Sequence, residues 1–205
     1  MNYADDRIDL PPKPDPTSGV PHPPPAPREW HGNPAAEERD PSRAVGVPRD
    51  QGPALEAYTP NRRSRVVTAL QSMGVMVAGI TLLNAGFGWV SQWFAWVFIV
   101  GFGAVGFFTV ASGTCAAGAE WFACGKRWVK QYELTSITVR MRFSKRYLHL
   151  VDRDGRKVVL FIGDAQENQE LWDLVYNGIR HSVAAGAETN WVARRALELR
   201  GVAGE

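Results

Sequence analysis

Between Arg65 and Glu120 lie 54 consecutive residues, Val66 through Ala119, without a single Asp, Glu, Lys or Arg. About a quarter of the residues of an average chain are charged, so a gap of this length is not accidental. A helix that crosses a hydrocarbon layer of ~30 Å needs roughly 20 apolar residues, and one helix has no use for 54. The block weakens once, at Gly88-Trp89-Val90-Ser91-Gln92-Trp93. The spacing therefore predicts a hairpin of two transmembrane helices, near residues 66–89 and 94–117, within a unit spanning 61–125.

The flanks give the hairpin a direction. Arg62, Arg63 and Arg65 precede it, Lys126, Arg127 and Lys130 follow it, and the connecting turn has no basic residue. Basic residues gather on the cytoplasmic side, so both termini are expected there, in a multi-pass protein of the cell membrane. Trp89, Trp93 and Trp96 would form the outer aromatic belt, and Trp121, Phe122 and Trp128 the inner one. The lipid bilayer is the first expected partner. Gly74 and Ala78, then Gly101, Gly103, Ala104, Gly106 and the small residues of 111–119, would let helix backbones approach, so self-association is a second expectation. Gln71 and Asn84 would hydrogen-bond across the pair. With no charge in the block, an oligomeric channel or transport role is the least favoured reading. Met1–Leu10 is acidic and lacks an apolar core, so the first helix is expected to act as the insertion signal.

The remainder divides sharply. All 14 prolines fall between Pro11 and Pro60, and residues 1–60 hold ten acidic and six basic residues. Residues 1–60 therefore read as a disordered, proline-rich tail. Pro24 to Pro27 followed by Arg28 has the form of a docking peptide for an aromatic groove, which suggests a protein partner for the tail. Residues 61–205 carry 17 basic and 11 acidic residues. Of these, 126–205 are expected to form a small cytoplasmic α+β module of about three antiparallel strands and two helices.

Within the module, Ile137, Val139, Met141 and Phe143 alternate with Thr138, Arg140 and Arg142, the pattern of a strand with one buried face. Tyr147–Val151 and Lys157–Ile162 are two further apolar runs, separated by the turn sequence Asp152-Arg153-Asp154-Gly155. Asp164 and Glu167 have capping-box spacing ahead of a helix that would bury Leu171, Trp172, Val175, Tyr176, Ile179 and Val183. Gly186 would end that helix, and Thr189 would cap a last one carrying Val192, Ala196 and Leu199.

Chemistry-bearing patterns are few. Cys115 and Cys124 lie nine positions apart, which on a helix separates the thiols by about 13 Å and argues against a disulfide. His149 and His181 stand without a neighbouring Cys or a paired carboxylate, and no glycine-rich phosphate loop follows a strand. No catalytic residue, metal site or cofactor is expected, and the protein reads as a non-enzyme. The one cluster is basic: Arg140, Arg142, Lys145, Arg146, Arg156 and Lys157, with Arg153 beside them. It suits contact with anionic lipid or with nucleic-acid phosphate, the latter less favoured, or it is an ordinary solvated face.

Leu171-Trp172-Asp173-Leu174-Val175-Tyr176-Asn177-Gly178-Ile179-Arg180-His181-Ser182-Val183, with Gly186-Ala187-Glu188-Thr189-Asn190 and the strand Arg146-Tyr147-Leu148-His149-Leu150, resembles a segment of small two-helix membrane proteins of high-GC Gram-positive bacteria. Arg outnumbering Lys by 18 to 5 agrees with a GC-rich bacterial genome. The resemblance covers about residues 130–200 and implies a folded C-terminal unit but no activity. The leading expectation is a membrane anchor whose cytoplasmic module recruits or senses a partner. The alternative is a membrane-tethered accessory that contacts nucleic acid, for instance in DNA transfer.

Overall fold

The computed structural model describes residues 10–28, 37–38, 48, 50–60, 62–84, 86–111, 114–142 and 145–199. The chain forms two compact units. One comprises residues 1–58 and 114–205, the other 59–113. The division falls on either side of the helical pair, so the N-terminal segment belongs to the same unit as the C-terminal one.

The smaller unit holds α1 (Arg62–Leu83), a 3-10 turn (Gly88–Ser91) and α2 (Trp93–Ala111). The helices run antiparallel: a Cβ at Gly103 would lie 2.7 Å from Met73 Cγ, and one at Gly106 would lie 2.5 Å from Ser72 Oγ. Trp89 folds into the pair with Ala95 and Ile99, and its indole donates to Thr81 Oγ1 across 3.1 Å. Much of the remaining surface is apolar and exposed, as at Val75, Leu83 and Phe108.

The expected two-span membrane hairpin is not what forms. Among the described residues, Arg65–Leu83 is the one helix long and apolar enough to cross a membrane; the apolar helix Trp93–Phe108 is shorter. The cause lies at the end of the uncharged block. Cys115, Ala116 and Ala117 leave the helix and form a fully buried strand. Small uncharged residues satisfy a crowded sheet as well as a helix face, so absence of charge overstated the helical length. The multi-pass topology, the cell-membrane placement with cytoplasmic termini, the bilayer as partner and the membrane-anchor function fall with the second span. Of the expected belts, Trp89 is buried within the helical pair, and Trp121 and Phe122 are buried in a sheet. Gly103 and Gly106 pack inside the pair, and Ala116, Ala117 and Ala119 are buried in the other unit. These small residues are occupied within the chain, and self-association through them is not supported.

The larger unit is an α+β fold that far exceeds the expected three strands and two helices. Its first sheet has the order β1-β2-β3-β4-β5: β1 (Glu37–Glu38), β2 (Glu56–Pro60), β3 (Cys115–Ala117), β4 (Trp121–Cys124) and β5 (Arg127–Lys130). Glu56, Ala57 and Tyr58 pair antiparallel with Ala117, Ala116 and Cys115, so part of the supposed tail is a sheet strand. Cys115 and Cys124 are directly opposed across β3 and β4, with Cα atoms 4.1 Å apart, and form a disulfide. A spacing of nine separates thiols on a helix but juxtaposes them on a hairpin, which corrects the expectation of free cysteines.

The second sheet has the order β8-β7-β6-β9: β6 (Leu134–Arg142), β7 (Lys145–Asp152), β8 (Lys157–Phe161) and β9 (Glu188–Thr189). Phe143 lies outside the described residues, and Met141 is 60% exposed rather than buried. The β7–β8 turn uses Gly155 at φ +78°, and buried Asp152 holds it by accepting from the backbone N–H of Arg156.

Three helices complete the unit: α3 (Ile162–Glu167), α4 (Gln169–Ala184) and α5 (Trp191–Ala196). The cap of α4 is Asn168, whose side chain accepts from Glu170 N and Leu171 N, so the Asp164–Glu167 pair does not cap it. Likewise Asn190, not Thr189, caps α5, because Thr189 pairs with Ile137 in β9. Leu171, Trp172, Leu174, Val175, Ile179 and Val183 of α4 are buried with both sheets: Phe122 and Val129 from the first, Ile137, Val139, Leu148, Leu150, Val158 and Leu160 from the second. This main core sits on one face of each sheet; on the other face of the first, Ala57, Ala116, Trp121 and Ala123 form a second buried cluster.

Candidate ligand-binding face

Strand periodicity leaves the other face of β6–β7–β8 bare. In register across β6 and β7, Thr138 pairs with His149, Arg140 with Tyr147 and Arg142 with Lys145; across β7 and β8, Tyr147 pairs with Phe161, His149 with Val159 and Val151 with Lys157. Alternation puts all of these side chains on the face opposite Ile137, Val139, Leu148 and Leu150. None is buried.

Two aromatic rings lie together on this face, Tyr147 and Phe161, with centroids 6.1 Å apart and planes tilted by 53°. Lys145 Nζ stands 5.3 Å from the Phe161 ring, a cation–π contact. Arg140, Arg142 and Lys145 are exposed beside the rings, and Lys157 is exposed further along the same face, opposite Val151. His149, between the rings and Val159, has its pKa lowered by partial burial and by the nearby Arg140 charge. At the margin, burial raises the carboxyl of Asp164 to about 6; Lys145 opposes that rise and Glu167 adds to it. Lys145 thus keeps an electrostatic hold on the helix that follows β8.

Four of the six expected contact residues, Arg140, Arg142, Lys145 and Lys157, share this face. Two do not. Arg146 pairs with Met141 on the opposite side of the sheet. Arg156 is consumed structurally: its Nε donates to Asp152 Oδ2 at 2.7 Å, its Nη2 donates to Asp154 Oδ2 at 2.5 Å, and its guanidinium lies 3.8 Å over the Trp128 ring. A basic residue directly after an Asp-rich turn is a natural partner for the turn's carboxylates, and that signal was present in Asp152-Arg153-Asp154-Gly155-Arg156. The rings of Tyr147 and Phe161 were missed as site residues. Their signal was period two, since Tyr147 stands two residues beyond Lys145 and Phe161 four beyond Lys157.

Among the described residues no group of three His, Cys, Asp or Glu side chains is placed to hold a metal ion. The face defines the class of the unit: an open sheet with core helices behind it and a ring pair set among cations in front. Comparison with family models, with curated proteins and with solved structures gives no match. The resemblance to small two-helix membrane proteins does not survive, because the described residues form five α-helices, a five-stranded sheet and a four-stranded sheet.

Proposed function

We propose that the larger unit is a binding module, not an enzyme, and that its β6–β7–β8 face takes single-stranded nucleic acid. The observation that carries the reading is the Tyr147–Phe161 ring pair with Arg140, Arg142 and Lys145 beside it and Lys157 further along the same unburied sheet face. Single-strand recognition needs those two elements together. Rings stack unpaired bases at roughly 1–3 kcal/mol each. Cations track the phosphates, and each released counterion adds to the salt dependence. A sheet sets the rings side by side on an open face, which suits splayed bases rather than a closed duplex groove. A solvated face with no ligand needs the cations but gives no reason for two partly exposed rings among them.

Fluorescence anisotropy of the full chain with a labelled oligothymidylate of ~12 nucleotides tests the proposal. Four phosphate contacts predict a slope of log K against log salt of about −3, from ~0.7 per contact on a single strand. A duplex of the same length should bind more weakly. Absence of binding at low salt, or equal affinity for the duplex, overturns the reading.

A further inference from the structure

The proline-rich segment makes its own site visible. Residues 10–28 lie along α4 in an extended course interrupted by one turn, in which Asp15 Oδ1 accepts from Thr17 N and Ser18 N. The α4 side chains read the segment in a consistent way. Trp172 Nε1 donates to the Pro27 carbonyl at 2.8 Å, Asn177 Nδ2 donates to the Pro12 carbonyl at 3.3 Å, and His181 Nε2 lies 2.7 Å from the Pro11 carbonyl. All three carbonyls belong to prolines; a fourth, that of Ala26, accepts from Gln169 Nε2 at 3.4 Å. A proline has no N–H to offer, so its carbonyl is the polar group by which such a segment is recognised. Among the described residues, the one segment N–H that α4 receives belongs to Ala26, the non-proline beside Pro27, and it donates to Asp173 Oδ1 at 2.7 Å. Lys13 Nζ adds a cation–π contact 4.6 Å from the Tyr132 ring.

The polar contacts are those of a ligand in a receptor groove, anchored where Ala26 reaches the core and Pro14 and Pro23 are buried. Among the described residues, the backbone hydrogen bonds of 10–28 run within the segment, from Asp15 N to Val20 O and from Gly19 N to Asp15 O. A cavity of 220 Å³ remains between the segment and α4, lined by Pro11, Pro24, Pro25, Tyr176 and Asn177 among others. Asn177 is 2% exposed, and its Oδ1 has no hydrogen-bond partner, an acceptor that the segment leaves unused. We infer that α4 and Tyr132 form a binding groove for extended, proline-rich peptide, and that the chain's own residues 10–28 occupy it as a separable intramolecular ligand. This goes beyond the nucleic-acid reading, which concerns the opposite face of the second sheet and different residues.

The test uses the full chain with residues 10–28 replaced by a Gly/Ser segment of equal length, and a fluorescein-labelled peptide of residues 10–28 as the probe. The groove reading expects the Gly/Ser chain to keep its near-UV circular dichroism and to bind the peptide one to one. The unaltered chain, whose groove is filled, should bind it at least ten-fold more weakly. Trp172→Phe in the Gly/Ser background should weaken binding at least five-fold. A folded Gly/Ser chain that ignores the peptide overturns the inference. So does equal binding by the unaltered chain, or a Gly/Ser chain that fails to fold, since the segment would then be part of the core rather than its ligand.

Discussion

The indole N–H of Trp172 donates to the backbone carbonyl of Pro27 across 2.8 Å, joining residues 145 positions apart. The next residue, Asp173, accepts the N–H of Ala26, so the two contacts clamp the Ala26-Pro27 dipeptide. The expected protein partner for the proline-rich tail is thereby replaced by α4 of the same chain. Trp172→Phe keeps an aromatic ring in the core but removes the donor, at a cost of about 1 kcal/mol. Hydrogen exchange should show the Ala26 amide losing several-fold of its protection while Leu148 and Leu150 keep theirs. Unchanged protection at Ala26 would mean that the clamp does not hold the segment.

Asn168 is fully buried and performs two tasks. Its oxygen caps α4, and its Nδ2 donates to Glu56 Oε2 at 3.1 Å and to the Ala57 carbonyl at 3.2 Å. Asn168→Asp preserves the cap and removes the donors, placing a carboxylate beside Glu56. Asn168→Ala removes both. Chemical denaturation should therefore find both variants destabilised, Ala by about 2 kcal/mol. Asn168→Asp should recover toward the normal value at acid pH, where the added carboxyl is protonated. An Asp variant as stable as the unaltered protein at neutral pH would show that the link to β2 carries no weight.

Gly178 sits inside α4, where alanine is ordinarily better by about 1 kcal/mol. Here a Cβ would lie 2.7 Å from Gln131 Cβ and 2.8 Å from the Gln131 carbonyl oxygen. The backbone has to move to admit it, and overpacking costs roughly 1–3 kcal/mol. Gly178→Ala is expected to lower the denaturation midpoint. A higher midpoint would mean that α4 does not approach residue 131 so closely.

Asp164 has its carboxyl raised from 3.8 to about 6, chiefly by burial. The folded protein then holds this proton more tightly than the unfolded chain. Its favourable contribution is present below about pH 4 and is lost as pH rises through about 6. Asp164→Asn, which cannot ionise, should stabilise the protein by about 1–2 kcal/mol above pH 6 and have little effect below pH 4. Denaturation at both pH values reads the difference directly, and a pH-independent effect would contradict the assignment.

The legible parts of this sequence were those fixed by local periodicity. Leu171 to Val183 carries its apolar residues at steps of three and four, and α4 buries them; Asp152 to Gly155 carries a turn signal, and Gly155 adopts the positive φ it requires. The illegible parts depend on distant partners. Ala116 and Ala117 fit a helix or a tight sheet equally well, and the choice is made by Ala57 and Glu56 on one side and Ala123 and Phe122 on the other. Residues 10–28 carry too few apolar side chains to order themselves; donors on α4, far along the chain, supply what composition lacks. For the candidate face, type and spacing showed Arg140, Arg142, Lys145 and Lys157, whereas the withdrawal of Arg156 to Asp152 became visible only with the turn folded.

The binding face is tested most directly by separating its rings from its charges in one titration against labelled oligothymidylate. Tyr147→Leu with Phe161→Leu should lower affinity at least ten-fold, as expected for lost stacking at roughly 1–3 kcal/mol per base, and leave the salt slope unchanged. Arg140→Gln with Arg142→Gln should reduce the slope by about 1.4, the share of two phosphate contacts. Affinity and slope that both ignore the ring pair would contradict single-strand binding at this face.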